Sequence, residues 1–314
     1  MKNRKPTITI GIPAYNEEAN IGKLLNQILH QKQIGFQLQK VIVRSDGSTD
    51  RTVEEVKNIK NKKIIVVEGK KRVGLAKSQN AIFDRTDGDY LLILNGDVAL
   101  SGDDFLEKFI NGVLRSKADL ACPRLHAIKP KGFFSRVVSF GVDYKDRVYE
   151  NLNNGENWYT CRGTARMFSK KLYRKLCFKH SVGEDIYSFF YCLAHGYKYS
   201  FIKDITLYYQ LPDNFSDHEN QSARYLNSKI FQEKEFGPEF VKMNYAWPKG
   251  KFIWEYIMSI VHDPIHGVFY PLIFLYLSII SLLYKNNRSL DKWQMVKSTR
   301  QVIIPDSFGQ KKYE

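Results

Sequence analysis

Neither of the two glycine-rich signatures that commonly mark a phosphate site, Gly-x-Gly-x-x-Gly and Gly-x-x-x-x-Gly-Lys-Ser/Thr, occurs in the 314 residues of this chain. Without them the dinucleotide-fold and P-loop readings lose their main support, and a nucleotide would need some other site. Cysteine is scarce too. Cys122, Cys161, Cys177 and Cys192 form no Cys-x-x-Cys pair and have no companion histidine at zinc-finger spacing, which predicts reduced thiols, no disulfide and no structural zinc. The opening MKNRKPTITI is basic but lacks an apolar run of signal-peptide length, so the catalytic part is expected to stay in the cytosol. Acids are in deficit: 33 Asp and Glu against 48 Lys and Arg give a net charge of +15. That excess attracts polyanions, whether nucleic acid, an anionic membrane surface or a phosphorylated substrate. Because the positive charge is spread along the chain with no recognised reader motif, no nucleic-acid partner is expected.

What is present is an alternation of strand and helix patterns, with charged residues at the strand exits. Tyr90–Leu94 is a uniformly apolar run, too short for a typical helix and suited to a strand buried on both faces. It stops at Asn95-Gly96-Asp97, which is either an ordinary turn or a carboxylate at a strand's carboxyl end, where open α/β sheets bind ligands. Before it come strands over Thr7–Ile12, Gln39–Arg44 and Lys63–Glu68 and helices over Ala19–Gln31 and Leu75–Asp84. The pattern predicts a doubly wound, mostly parallel sheet flanked by helices. Three exits then offer Asp46, the basic loop Lys70–Arg72 and Asp97, which suits a nucleotide diphosphate: a carboxylate for base or ribose, cations for phosphate, and a carboxylate that reaches phosphate through a divalent metal.

Further along, Phe105–Lys117 reads as a helix and Asp119–Arg124 as a short strand. From Ala127 to Trp158 the periodicity weakens into a basic, aromatic stretch, expected to be an acceptor-side insertion of mixed structure. The cations of Arg162–Lys175, Arg166 among them, are expected mostly on a solvated helix face, whereas Gly163-Thr164 suits close backbone approach to a substrate. Glu184-Asp185 opens a helix over Ile186–His195; acids there either complement the helix dipole or serve as a general base.

Taken in order, IPAYNEE, SDGSTD, LNGDVAL, RGTARMF, GEDIYSFFYCLAHGYK and NQSARY resemble the family-2 glycosyltransferases of the GT-A fold, over about residues 7–226. This is the group of the cellulose, chitin and hyaluronan synthases and the polyprenyl-phosphate sugar transferases. The resemblance implies a nucleotide-sugar site in which Pro13, Ala14, Tyr15, Glu17 and Asp46 hold uracil and ribose. Lys71, Arg72, Asn95, Gly96 and Gly163 complete it. It implies Mg²⁺ or Mn²⁺ on Asp97, the last acid of the family's Asp-x-Asp, with Asn95 in place of the first acid and one negative charge fewer. Asp185 matches the catalytic base, with Glu184 beside it, and Gln221 and Arg224 match Gln-x-x-Arg-Trp, Tyr225 replacing the tryptophan. Together these imply inverting transfer of a sugar to an acceptor hydroxyl, with direct transfer to polyprenyl phosphate as the alternative. A phosphate nucleophile is already ionised and needs no base, so Glu184-Asp185 favours the hydroxyl. In a different class, Asn95 would fit a membrane-surface binding protein that kept the fold and lost the activity.

The catalytic domain is expected over residues 1–235 and a membrane-association region with a basic tail over 236–314. Gly267–Tyr284 is a run of eighteen uncharged residues, near the length that spans a bilayer. A single span would put Lys285, Arg288, Lys292, Lys297 and Arg300 on the wrong side for the positive-inside tendency. An in-plane helix followed by a re-entrant or interfacial hairpin, bent near Pro271, on the cytoplasmic face of an anionic membrane is therefore expected, with a buried core helix as the alternative. With at most one or two spans there is no channel, so a single sugar added to a lipid-linked or saccharide acceptor is expected.

Overall fold

The computed structural model describes residues 4–179, 183–245 and 248–283; for 223–228 and 280–283 the description covers the backbone alone. The first half alternates as the sequence implies: β1 (Thr7–Ala14), α1 (Ile21–Leu29), β2 (Gln37–Ser45), α2 (Thr52–Asn58), β3 (Ile64–Glu68), α3 (Leu75–Asp84) and β4 (Tyr90–Leu94). Side chains along β4 point alternately to the two faces. Leu92 and Leu94 join one core with Ile8, Ile10 and Ile12 of β1 and Leu24, Leu25 and Ile28 of α1; Leu91 and Ile93 join the other with Ile82 and Phe83 of α3. The apolar run is therefore buried twice over. Gly11 in β1 is required by this packing, since a Cβ there would lie 2.4 Å from Ile82 Cγ2.

The chain continues through β5 (Val98–Leu100), α4 (Phe105–Ser116), β6 (Leu120–Ala127), α5 (Phe133–Asn151), β7 (Ala165–Ser169), the single turn α6 (Lys170–Tyr173), α7 (Glu184–Ala194) and β8 (Tyr199–Tyr209). All eight strands form one sheet in the order β3-β2-β1-β4-β7-β6-β8-β5. The pairs β3–β2, β2–β1, β1–β4 and β6–β8 are parallel, but β7 is antiparallel to both β4 and β6, and β5 is antiparallel to β8. The doubly wound parallel expectation thus holds for the half up to β4 and is corrected beyond it, where the sheet is mixed. β8 went unpredicted because its residues lie on two differently covered faces without strict alternation.

The helices α8 (Phe215–Phe236), α9 (Pro238–Asn244), α10 (Lys249–His262) and α11 (Pro264–Leu283) follow. The expected mixed insertion is instead the nineteen-residue helix α5. One face packs on α10 and α11, where Phe140, Tyr144, Tyr256 and Tyr270 pack ring against ring with centroids 5.5–6.1 Å apart, while Phe134, Val138 and Val142 pack against Ala127 of β6 and Tyr209 of β8. Gly141 makes room for the ring contacts, because a Cβ there would overlap the Tyr270 ring at 1.9 Å. The break between α10 and α11 falls at Asp263-Pro264, where Pro264 opens α11, while Pro271 lies inside α11. Among the described residues no helix is long and apolar enough to cross a membrane. The basic tail from Lys285 to Arg300 lies outside the described residues.

Candidate active site

The ends of β1, β2 and β3 are tied into one cradle by backbone and carboxylate hydrogen bonds. Asp46 N–H donates to Ala14 O (2.8 Å), and Gly69 N–H donates to Ser45 O (2.8 Å). The buried Asp46 carboxylate then accepts from Val73 N–H at 2.8 Å and Gly74 N–H at 2.9 Å, which fixes the loop that carries Lys71 and Arg72. Gly47, at φ +70°, is pressed against that loop so closely that a Cβ would meet Lys71 C at 2.7 Å and Arg72 N at 2.8 Å. Left-handed backbone and close approach both demand glycine there. The Arg72 guanidinium lies 4.1 Å above the Tyr15 ring, joining the first and third strand exits by a cation–π contact. Asn16, also left-handed at φ 55°, receives Thr49 N–H at 2.8 Å, so IPAYNEE and SDGSTD interlock.

The β4 exit meets the same cradle from the other side. Gly96 packs on Glu17 so tightly that a Cβ at this position would lie 2.8 Å from Glu17 Cγ, and Glu17 N–H donates to Thr52 Oγ1 at 2.7 Å. Asn95 N–H donates to Thr164 O at 3.0 Å. One residue away, Gly163 N–H donates to Asp185 Oδ2 at 3.1 Å, while Ile186 N–H donates to Asp185 Oδ1 at 2.8 Å. The antiparallel pairing of β7 with β4, Ala165 opposite Leu94, is what brings RGT beside LNGD. Pro13, Ala14, Tyr15, Glu17, Asp46, Lys71, Arg72, Asn95, Gly96, Gly163 and Asp185 are thereby linked along one edge of the sheet. Asp97 follows Gly96 at this edge, half-buried, between β4 and β5.

Asp185 and Glu184 occupy the first turn of α7, where the helix N-terminus favours negative charge. Behind them stands Arg166, fully buried at the second position of β7. Its Nη1 donates to Glu184 O (2.8 Å) and Ser188 Oγ (3.1 Å), its Nη2 donates to Gln79 Oε1 (3.0 Å), and Nη2 stands 4.0 Å from Glu184 Oε1. The expectation of a solvated helix face is therefore corrected for Arg166: it lies on a strand whose five residues are all buried, and it braces the turn that carries Asp185. The alternation Ala165-Arg166-Met167-Phe168 was the only sequence signal for that strand, and the surrounding cations obscured it.

Gln221 is half-buried on α8, and Arg224 lies on the same helix with its side chain outside the described residues. α8 touches the start of α7 through Gln232 Nε2, which donates to Gly183 O at 3.3 Å. On the far flank, Arg162 forms a two-pronged ion pair with Asp146 of α5 and Arg124 another with Glu150, anchoring α5 beside Gly163. Tyr149 and Tyr159 stack at 4.3 Å and extend this wall. None of these aromatic positions was singled out by sequence, since nothing in the primary pattern separates a stacking tyrosine from a core one.

Residues 9–177, more than half of the chain, match the sequence profile of Glycosyl transferase family 2. The chain belongs to that family. The glycosyltransferase GlyA of Streptococcus pneumoniae is 25% identical over 193 residues, which cover 57% of this chain but 27% of GlyA. The chain therefore spans about a quarter of that relative's length. Among solved structures, the mannosyltransferase PcManGT from Pyrobaculum calidifontis in complex with GDP-Man and Mn²⁺ superposes with a TM-score of 0.61 at 14% identity, covering 90% of this chain and 89% of that one. TarS residues 1–349 from S. aureus, in complex with UDP-GlcNAc, reach 0.53 at 17% identity over 88% of each chain. The fold is the mixed α/β GT-A fold.

A group of three His, Cys, Asp or Glu able to cage a metal is not found among the described residues. Mg²⁺-type ions are commonly bound through one or two carboxylates plus substrate phosphates, and the half-buried Asp97 at this edge supplies a carboxylate that fits a diphosphate-borne ion.

Proposed function

We propose that this glycosyltransferase moves a single sugar from a nucleotide-sugar, a UDP-sugar by its Tyr15/Asp46 cradle, to a hydroxyl of a lipid-linked or saccharide acceptor, with inversion, at the cytoplasmic face of the cell membrane. The observation that carries the reading is the position of Asp185. Both of its oxygens are oriented by backbone N–H groups, and Gly163 connects it to the Asn95-Gly96-Asp97 exit of β4. Asp185 takes the proton from the acceptor hydroxyl as that oxygen attacks the anomeric carbon and the nucleotide diphosphate departs. Lys71, Arg72 and Arg224 offset the charge of the leaving diphosphate, and Gln221 orients the acceptor. Mg²⁺ or Mn²⁺ would be held by Asp97 and supply further charge neutralisation when bound. The PcManGT neighbour carries Mn²⁺ and GDP-Man and the TarS neighbour UDP-GlcNAc, which supports a nucleotide-sugar and a divalent ion.

Membrane association is supported by the outer face of α10 and α11, where Trp254, Ile257, Val261, Ile265, Val268 and Leu272 are all at least half exposed. Isolated apolar residues on a surface are ordinary, but a continuous band of them marks an interaction site. Surface polysaccharide or glycolipid assembly is the process that would place a lipid-linked acceptor there.

The test is release of UDP from a panel of UDP-sugars, with and without Mn²⁺, using a lipid-linked saccharide as acceptor. Release that requires both acceptor and Mn²⁺, and loss of Mn²⁺-dependent UDP binding in Asp97→Ala by calorimetry, is the expected result. Absence of turnover with every donor would leave only a binding protein, and unchanged UDP affinity in Asp97→Ala would remove the metal from Asp97.

A further inference from the structure

A recess of about 230 Å³, its open mouth included, lies between α5, the loop that leads into β7, and strands β6 and β8. The sheet makes room for it. β7 pairs with β6 at two positions, Leu120 with Phe168 and Ala121 with Met167, and the register of β6 against β8 shifts between Pro123 and Arg124. Proline has no N–H to give a neighbouring strand, so it is tolerated where the pairing breaks off. Pro123, Leu125 and Phe201 make the apolar side of the recess, and Asp146, Glu150 and Arg162 the polar side. Tyr149, stacked on Tyr159, lines the wall between them.

The polar side is built of matched pairs. Arg162 holds Asp146 by two prongs, and Arg124 holds Glu150 through Nε at 2.9 Å and Nη2 at 2.7 Å. Two-pronged pairs of this kind fix both partners in orientation. In a chain of net charge +15, the two acids that line the recess are thus each matched by a guanidinium group. Neither pair is sealed: the side chains of Asp146, Glu150 and Arg162 keep 19–25% of their surface open. A carboxylate has about four lone-pair sites, so each acid can still accept from a hydroxyl. An incoming carboxylate or phosphate would face those same acids and could be paired only by breaking an existing pair. The enclosed part of the recess has room for about one water-sized group. The whole is smaller than the roughly 300–1,000 Å³ of a full small-ligand pocket, so it takes a substituent and not a complete sugar chain.

The place of the recess in the fold says whose substituent it takes. In the sheet order β3-β2-β1-β4-β7-β6-β8-β5 the cradle of Asp46 and Arg72 lies at the exits of β1 to β3, and the recess lies at β6 and β8. Gly163, just before β7, stands between them, with its N–H 3.1 Å from Asp185 Oδ2, and Arg162 is the residue next to it. We propose that the recess is a selectivity pocket that takes the hydroxymethyl group of a neutral acceptor sugar and turns away sugars that carry a carboxylate there. The CH₂ lies against Pro123, Leu125 and Phe201, and the hydroxyl donates to Asp146 or Glu150. The inference rests on the hydroxyl acceptor of the preceding section and names which class of sugar carries that hydroxyl. The pocket holds the acceptor and takes no part in bond making.

The experiment uses the full chain and three matched sets of methyl glycosides, glucoside with xyloside, galactoside with arabinoside and mannoside with lyxoside, whose members differ only in the hydroxymethyl group on C5. The corresponding uronides complete each set. Binding is followed by saturation-transfer NMR with and without UDP, and UDP affinity is measured in parallel. In at least one set the hexoside is expected to bind about tenfold tighter than the pentoside, the scale of one group lodged in a fitting pocket. The uronide binds no better than the pentoside, and the C6 protons of the bound hexoside are the most strongly saturated. Glu150→Gln, which removes one acid and releases Arg124, lets the uronide gain about tenfold on the hexoside and leaves UDP affinity unchanged. An unaltered ratio in Glu150→Gln overturns the pocket. Should that variant fail to fold, the wild type decides alone: equal binding of hexoside and pentoside in every set refutes the proposal. A uronide that binds as tightly as its hexoside, or no binding by any hexoside, refutes it as well. Failure of UDP to bind the wild type would sink the proposed transfer reaction and leave the glycoside comparison readable.

Discussion

The two halves of this family-2 chain are held together by different physics. Around β1 to β4 the site is made of backbone: Asp46 gripping Val73 and Gly74, Gly47 pressed on Lys71, Asn16 locked to Thr49. Around α5, α10 and α11 it is made of side chains, chiefly stacked rings and the ion pairs of Arg124 and Arg162. Backbone contacts barely depend on which side chains surround them, so a cradle built from them suits one constant ligand. Ring packing is easily re-dressed, which suits a wall whose ligand differs from one enzyme to the next. Under the proposed function, donor recognition falls to the first of these regions and acceptor recognition to the second, with Asp185 at the seam.

The sharpest way to test that separation is Asp185→Asn. Transfer should fall by roughly 10²–10⁴-fold, the usual worth of general-base assistance, while UDP affinity is retained. A radiolabelled transfer assay that returns near wild-type turnover would remove Asp185 from the chemistry, and lost UDP affinity would mean that the seam is not a seam.

Arg166→Leu attacks the brace behind the seam. Removing one partner from a buried charge pair typically costs about 3–5 kcal/mol, and here it also leaves the Gln79 and Ser188 contacts unmade. Urea unfolding should register that loss; a change below about 1 kcal/mol would show that Arg166 is a spectator. Replacing both charges, Arg166→Leu with Glu184→Gln, should recover part of it.

How far the sequence could be read follows the same division. α3 lies where the pattern places it, Leu75–Asp84, and β4 likewise, because both bury a regular stripe against a sheet covered on its two faces. The motif residues of the first three strand exits were legible since turn chemistry limits which residues can stand there. α5 was not legible. Its burial is divided between β6 and β8 on one side and α10 and α11, about a hundred residues later, on the other, and a helix that packs on aromatic helices needs no clean apolar stripe. Arg166 was misread for a related reason: a fully buried arginine looks like its exposed neighbours until the partners Gln79 and Glu184 are known, and neither is near it in sequence.

A milder probe of the acceptor half is acid. His218 takes up its proton near pH 6.5 in an unfolded chain and only near 4 in the folded one. Between those values the unfolded state binds more protons, so stability should fall as the pH drops from 6.5 toward 4, by at most about 3 kcal/mol. His218→Gln should flatten that part of the profile in pH-dependent thermal unfolding; an unchanged slope would assign it to other groups. UDP affinity measured over the same range should move little if the halves are independent.

The smallest expected effect is on membrane partitioning. Trp254→Ser with Ile257→Ser should weaken binding to vesicles of phosphatidylglycerol and phosphatidylcholine by about tenfold, in line with the apolar area removed, and leave UDP affinity untouched. Unaltered sedimentation with vesicles would mean that this face meets something other than lipid.

The reversed direction of β7 has a consequence for chain length. Because β7 returns antiparallel between β4 and β6, the chain leaves the sheet after β6 and re-enters it beside the end of β4. Everything between those two points, α5 and the Tyr159 wall included, is an excursion whose ends are pinned by the sheet. Such an excursion can change in length without moving either of its ends, because both are held by strand pairing in the same sheet.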